Sequence, residues 1–556
     1  MNINEKEKEK AQITIAQSFE KKSPSYSFDH PRASAIHDLI FDLFSDDLLP
    51  FNMIKGNAFT KLIQTLEPKF TFSFFSLSES LHQFFSETRY VIPSTTYFSD
   101  ILLPKRYNEA KEKVKTVLLG ASSISYTTDC WTSVSNDAYM ATSAHFITAD
   151  WKLLDVHLHT THFPESHTGK NIAEKLTEST ASMVSSLTKE VAFVSDSAAN
   201  AVKAGEFLTF PRYPCFAHQL QLIIHGAIDS PDLTDLISKC KKIVGHFRHS
   251  AKASHELKLA VLEAKPDSDA TKLIQDVPTR WNSTLFMLER LLQLRSFVNK
   301  ISSNHKTFDL QVSDKEADLL DSIVTCLLPF QEATKMSSGS TYPTCSIIYP
   351  MTFAIIECLD KVTSPRQASS FAASLSNSIQ EVFHSNLDRN LGLATVLDPR
   401  FKDLTFLPYN HHWHTAITAD LKEAFEKEKK KADKEKDRIP MPSNAAPKSK
   451  QPIAGSFAAI LFSDKNPVLK SELGAYWSIT ISDKIDVDPI QWWKLHEREF
   501  PTLSKLAREL LATPATSVPV ESNFSKSGRL VSKRRASLKP AKVEQLMFLH
   551  QNKKYL

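Results

Sequence analysis

The chain has 556 residues, 42% of them hydrophobic, which is enough for a substantial core and too many residues for one compact domain. Its 67 basic and 63 acidic residues leave a net charge of +4, so any contact with nucleic acid has to rest on local charge. With only 11 glycines, and neither a Walker-type Gly-x4-Gly-Lys-Ser/Thr nor a G-x-G-x-x-G, a phosphate-cradling or dinucleotide loop is excluded, and no small-molecule substrate is expected.

Residues 1–34 are polar and charged and read as a disordered N-terminus without the apolar stretch of a signal peptide. Order is expected from about Ala35, where Ile36, Leu39, Ile40, Leu43 and Phe44 repeat at helical spacing. Further helices are predicted over 57–66 and 105–119, so 35–119 reads as a helical N-terminal domain. Residues 71–85 are apolar but broken by serines, Glu79, His82 and Gln83, too short and too polar for a membrane span. Residues 72–88 read as an extra segment between two more ordinary stretches.

The pattern then changes to three β-like runs over 123–131, 139–149 and 153–163, with Asp150-Trp151-Lys152 as a hairpin turn. A helix over 169–187, a buried strand over 191–195, a helix over 198–207, a short strand over 213–217 and a helix over 218–227 follow. That order describes a mixed-sheet α/β unit, 120–230. Residues 231–473 have long helical periodicity, as in the stripe Trp281, Leu285, Leu288 and Leu292. Within them, 427–438 carry seven basic and four acidic residues and lead into a Pro/Ser/Ala/Lys stretch, so 427–452 reads as a solvated helix end and flexible linker. In the last unit, 474–556, Pro501 and Pro540 stand at predicted helix starts.

The six cysteines, at 130, 215, 240, 326, 345 and 358, are scattered and form no C-x-x-C, which fits reduced thiols and a chain without a two-Cys, two-His zinc finger. Asp129 and Asp196 each stand at the end of a predicted strand. If those strands are neighbours the carboxylates face one another, an arrangement that repels unless a cation such as Mg²⁺ lies between them. The plainer alternative is that each Asp caps the turn after its strand. Cys215 and His218 have the spacing of half a zinc site, with only His246 and His249 as partners, and read equally as a buried thiol and an ordering imidazole. Between 525 and 556 nine basic residues, among them Lys533, Arg534 and Arg535, stand against one acid, Glu544; phosphate contact, nuclear import and a solvated face all fit.

Six blocks in order carry a family resemblance. They are Thr127-Thr-Asp129-Cys-Trp131-Thr-Ser, Ser195-Asp196-Ser-Ala-Ala-Asn200, Cys215-Phe-Ala-His218, Arg280-Trp281-Asn-Ser-Thr, Leu397-Asp-Pro-Arg-Phe-Lys402 and Pro514-Ala-Thr-Ser-Val-Pro-Val-Glu521-Ser-Asn-Phe-Ser. Together they resemble the hAT superfamily of DNA transposases, closest to its transposase-derived relatives that carry a BED zinc finger, a finger this chain lacks. The resemblance implies an RNase-H-like mixed-sheet core interrupted by a large all-α insertion, and a third carboxylate, Glu521, that completes a Mg²⁺-binding triad with Asp129 and Asp196. It implies that Cys215 and His218 organise the site, that Arg280 and Trp281 lie beside it and stack on DNA, and that the C-terminal region dimerises. The stripe containing Trp281 equally fits a core position. Trp492, Trp493, Leu503, Leu506, Leu510 and Leu546 read as more apolar surface than a short terminal unit can bury alone, to be covered by a second copy. The expected partners are DNA and a second copy of the chain, without a membrane, in the nucleus. The alternative is a domesticated, non-catalytic, dimeric transcription regulator.

Overall fold

The computed structural model describes residues 27–66, 91–133, 136–438, 471–517 and 538–556. The helical N-terminal part contains α1 (Pro31–Ser45), α2 (Asn57–Leu66) and α3 (Leu103–Leu118). Helix α1 starts four residues ahead of the sequence expectation. Pro31 fits the first helical turn, where a missing N–H costs nothing, and His30 Nδ1 accepts the Arg32 N–H at 3.1 Å.

The sheet follows: β1 (Ser123–Thr132), β2 (Ala138–Ile147), β3 (Leu153–His162), β4 (Lys189–Ser195) and β5 (Arg212–Pro214). Its order is β3-β2-β1-β4-β5, with antiparallel pairs β1/β2 and β2/β3 and parallel pairs β1/β4 and β4/β5. The parallel strands are joined by crossovers through α4 (Gly169–Ala181) and α5 (Ala199–Gly205). Helix α4 stops at Ala181 rather than continuing to 187, and Leu187 is 94% exposed.

Helices α6 (Phe216–Ile228), α7 (Pro231–His249), α8 (Ala251–Ala264), α9 (Trp281–Asn304), α10 (Asp314–Ser337), α11 (Ile348–Leu359) and α12 (Arg366–Ile379) share one large apolar core. Local sequence sets their starts. Ser313 and Glu316 form a reciprocal capping box at α10. Helices α13 (Arg389–Leu397) and α14 (Trp413–Arg438) follow, and then α15 (Glu472–Ser478), α16 (Pro489–His496), α17 (Pro501–Leu510) and α18 (Pro540–Asn552).

The two faces of the sheet are covered by different parts of the chain. Ile124, Tyr126 and Phe193 point into a core shared with α1, α3, α4 and α18. Val194 and Ala192 point into a second core with α13, α14 and α17. The outer edge, β3, is closed by α18 and the residues after it. The Asn552 amide accepts the His157 N–H at 3.0 Å and donates to the His157 carbonyl at 2.8 Å, copying a neighbouring strand. The Tyr555 hydroxyl adds a bond to the Asp155 carbonyl at 2.8 Å. No helix among the described residues is long and apolar enough to cross a membrane.

Candidate functional site

Strands β1 and β4 run in parallel with Ser125 opposite Ala192, Tyr126 opposite Phe193 and Thr127 opposite Val194. Two residues further along each strand stand Asp129 and Asp196. Alternation places Asp129 on the same face as Ser125 and Thr127, and Asp196 on the same face as Ala192 and Val194. That face is the one over which the chain after α17 runs, since Ser125 Oγ lies 2.7 Å from Thr513 Oγ1. The pairing register thus puts Asp129, inside β1, and Asp196, one residue past the end of β4, on one face of adjacent parallel strands. The Cys130 thiol records both charges. Burial, then Asp129, then Asp196 push it up to about 12.

The capping reading holds for Asp196, whose side chain bonds into the turn after β4, and not for Asp129, which lies inside β1. Asp129 Oδ1 accepts the Cys130 N–H at 2.9 Å, and Asp196 Oδ1 accepts the Ala198 N–H at 3.3 Å. These bonds fix how each carboxylate leaves the backbone.

The corner at Ser195 and Asp196 is held from two sides. From β5, Arg212 Nε donates to Ser195 Oγ at 2.9 Å and Nη2 donates to the Asp196 carbonyl. From the next turn, the Cys215 N–H donates to the Ser195 carbonyl at 2.7 Å. Cys215 is not part of a strand, as the sequence suggested. Strand β5 ends at Pro214, and Cys215 is the residue that caps α6. Its sulfur accepts the Ser517 N–H at 3.4 Å, and the Phe216 N–H donates to the Ala515 carbonyl at 2.9 Å. Cys215 therefore ties the segment 515–517 to the end of β4. His218 lies half-buried in the first turn of α6, where Gln219 also bonds Ser197 through its side-chain amide.

Two expectations need correction. Trp281 begins α9 but is only 3% exposed and packs with Leu285 and Leu288 in the helical core, so its indole has no open face for a base. Arg280 beside it is exposed, and the loop before it is tied to α6 by Gln221 Nε2 and the Thr279 carbonyl at 3.0 Å. Second, Trp493, Leu503, Leu506, Leu510 and Leu546 are buried within the protomer. The first four pack with α13 and α14, and Leu546 packs between α18, β3 and α3. Trp493 Nε1 donates to the Leu397 carbonyl at 2.8 Å, and Trp492, half-buried, stacks on His496 at 4.0 Å. The excess apolar surface read from a short terminal unit is covered by the helical insertion, which that reading did not count. The Leu397–Lys402 block is a structural staple. The buried Asp398 carboxylate accepts two bonds from Arg400, at 2.9 and 2.7 Å, and one from Ser346 Oγ at 2.7 Å.

Glu521, Lys533, Arg534 and Arg535 lie outside the described residues. Among the described residues no group of three or more His, Cys, Asp or Glu side chains is gathered to hold a metal ion. What they contribute is an oxygen-donor pair, the ligand type that hard divalent cations take. Sequence reading missed Arg212 and the Ala515–Ser517 clamp. The Arg212 signal was available, since it precedes the Cys-x-x-His block by three residues, but only the β4/β5 pairing shows what it holds.

Comparison with known proteins fits this geometry. Residues 127–209 match the ZBED1 RNase-like domain, 213–326 the ZBED1 RNase-like helical domain, and 465–553 the hAT family C-terminal dimerisation region. Zinc finger BED domain-containing protein 4 of Homo sapiens is 25% identical over 97% of this chain and 45% of its own length. The putative AC transposase of Zea mays is 26% identical over 90% of this chain and 62% of its own. The putative transcriptional regulator tpeD of Talaromyces stipitatus is 22% identical over 93% of this chain and 62% of its own. The chain thus spans about half to three fifths of the length of these relatives.

Proposed function

We propose that this chain, an hAT-type transposase-like protein with RNase-like domains of the ZBED1 kind and an hAT dimerisation region, acts on DNA in the nucleus through a Mg²⁺-dependent strand-cleavage and transfer site. The observation that carries this reading is the β1/β4 register, which sets Asp129 and Asp196 on one face of neighbouring parallel strands. Glu521 would be the third ligand. The last described residue before it, Ser517, is bonded to Cys215, whose N–H in turn bonds the Ser195 carbonyl at the end of β4. Glu521 follows Ser517 by four positions, a reach of at most about 14 Å.

In this reading Asp129, Asp196 and Glu521 hold the cation, which would supply Lewis-acid polarisation of a phosphodiester and an activated water. The chain's own groups do the positioning. Asp129 and Asp196 keep their orientation through the Cys130 and Ala198 N–H groups. Cys215 aligns the 515–517 segment, and Arg280, with Lys533, Arg534 and Arg535, offers charge to the phosphates. Two copies would pair through the C-terminal region. Its exposed apolar side chains, Leu495 at 80% and Ile485, are better placed for that contact than the buried leucines.

Supercoiled plasmid incubated with the full chain and MgCl₂ tests the reading. Nicking by the wild type, lost in Asp129→Asn, supports it. Equal nicking by both, or none by either, contradicts it. The second reading, a non-catalytic dimeric regulator of transcription, is favoured by the similarity to BED-finger proteins and to a putative fungal regulator. It predicts DNA association without nicking.

A further inference from the structure

Arg212 does more in this structure than pair a short edge strand. It stands opposite Phe193 in the β4/β5 ladder, yet its guanidinium reaches along β4 to the corner where the strand ends. There Nε donates to Ser195 Oγ at 2.9 Å and Nη2 donates to the Asp196 carbonyl. Ser195 Oγ closes the triangle by donating to the same Asp196 carbonyl at 3.2 Å. The Ser195 side chain and the Asp196 backbone are thus held by one planar fork, which fixes direction as well as distance.

The path of that side chain is kept open by Gly205. A Cβ on Gly205 would lie 2.8 Å from Arg212 Cβ and 3.3 Å from its Cδ. Gly205 closes α5, the helix that begins just after the Asp196 turn, so the crossover and the Arg212 stem occupy one tight space. Burial pulls the guanidinium down from its ordinary value, while Asp196 and then Cys215 push it up, so the cation is partly desolvated and close enough to both to feel them.

The geometry points to Arg212 as a positioning residue for the acidic pair: its planar fork locks the Ser195–Asp196 corner from which the Asp196 carboxylate projects. The inference rests on the proposal that those carboxylates bind a divalent cation. Groups that orient a metal ligand without touching the metal commonly change affinity by about 10–100-fold when removed. A merely structural arginine would change melting and leave the affinity of the folded protein alone.

The test is Mn²⁺ binding to the full chain, measured by titration calorimetry, with the melting midpoint of each variant recorded beside it. Arg212→Met is expected to weaken Mn²⁺ binding about tenfold or more. Arg212→Lys, which keeps a charge and loses the fork, is expected to weaken binding in the same direction. Gly205→Ala, which crowds the stem without touching the charge, is expected to weaken binding in the same direction. If Arg212→Met does not fold, the Lys and Gly205→Ala variants carry the comparison. Asp196→Ala separates the two ideas. If it loses Mn²⁺ binding while the Arg212 and Gly205 variants bind like the wild type, the positioning role is wrong and the carboxylate site stands. If Asp196→Ala binds Mn²⁺ like the wild type, the carboxylate site itself fails, and the role of Arg212 with it.

Discussion

The acidic corner, with Asp129 inside β1 and Asp196 just past β4, and the C-terminal segment α15–α17 border the same face of the sheet, and they are built in opposite ways. The corner is made of polar side chains that bond their own backbone, with Asp129 on Cys130 and Asp196 on Ala198, and it buries little apolar surface. The C-terminal segment is nearly all packing. Trp493, Tyr476, Phe500 and Leu503 fill a core with α13 and α14, and Trp151 in the β2/β3 turn stacks against Trp493. The contrast teaches that the acidic corner is held by directional bonds, while the segment that matches a dimerisation region first serves as part of the protomer's own core.

The sharpest way to break that contrast is Trp493→Ala. Removing a fully buried indole should cost about 3–5 kcal/mol, read as an earlier denaturation midpoint in urea. Asp129→Asn should leave that midpoint nearly unchanged. If Trp493→Ala kept wild-type stability and only dissociated a dimer, the residue would belong to a subunit interface instead.

Acid should act on the buried histidines of the same sheet face, where His145 Nε2 lies 2.8 Å from Thr127 Oγ1. Burial holds His145 down at about 4 and His157 at about 3, and both are neutral in the folded chain at pH 7. The unfolded imidazoles take up protons near about pH 6.5. Below that the unfolded state binds protons that the folded state does not, so stability falls as pH drops from about 6.5 toward 4 for His145 and toward 3 for His157. The slope should approach about 1.4 kcal/mol per pH unit for each group. Urea denaturation at stepped pH checks this, and His157→Gln should flatten the curve by one proton's worth. An unchanged slope would mean that His157 is not neutral and buried.

Asn552→Ala should cost about 1–3 kcal/mol, because it leaves the buried His157 N–H and carbonyl without partners at the free edge of β3. Hydrogen exchange at His157 would rise selectively. The smallest effect on stability belongs to Leu495→Asp, within about 0.5 kcal/mol. That variant should nonetheless lower the fraction of dimer seen by sedimentation, if the exposed side of α16 is where two copies meet. A dimer unaffected by it would move the interface elsewhere.

These contrasts also show what the sequence could and could not reveal. The strand run, the Asp150-Trp151-Lys152 turn and the helices at Pro501 and Pro540 were legible because each is set by local pattern: alternation, turn residues, or a proline at a first turn. The strand-end position of Asp196 was legible for the same reason, whereas Asp129 lies inside β1, which pairs with β2 as far as Thr132. Their neighbour relationship was conditional, because strand order is a tertiary fact. Burial misled where it depended on distant partners. Trp492 and Trp493 looked like surplus apolar surface until α13 and α14 were seen to cover them. Trp281 had two readings that periodicity could not separate, and the helical core chose one. Arg212 was invisible as anything but a basic residue until β5 was laid beside β4.

The central claim is that Asp129, Asp196 and Glu521 share one cation. The most direct measurement is anomalous diffraction from crystals of the full chain soaked in MnCl₂. The account predicts a manganese peak about 2 Å from a carboxylate oxygen of Asp129 and of Asp196, with Glu521 on the same ion. A peak bound by only one of the aspartates, or a Glu521 carboxylate directed away from the pair, would contradict it.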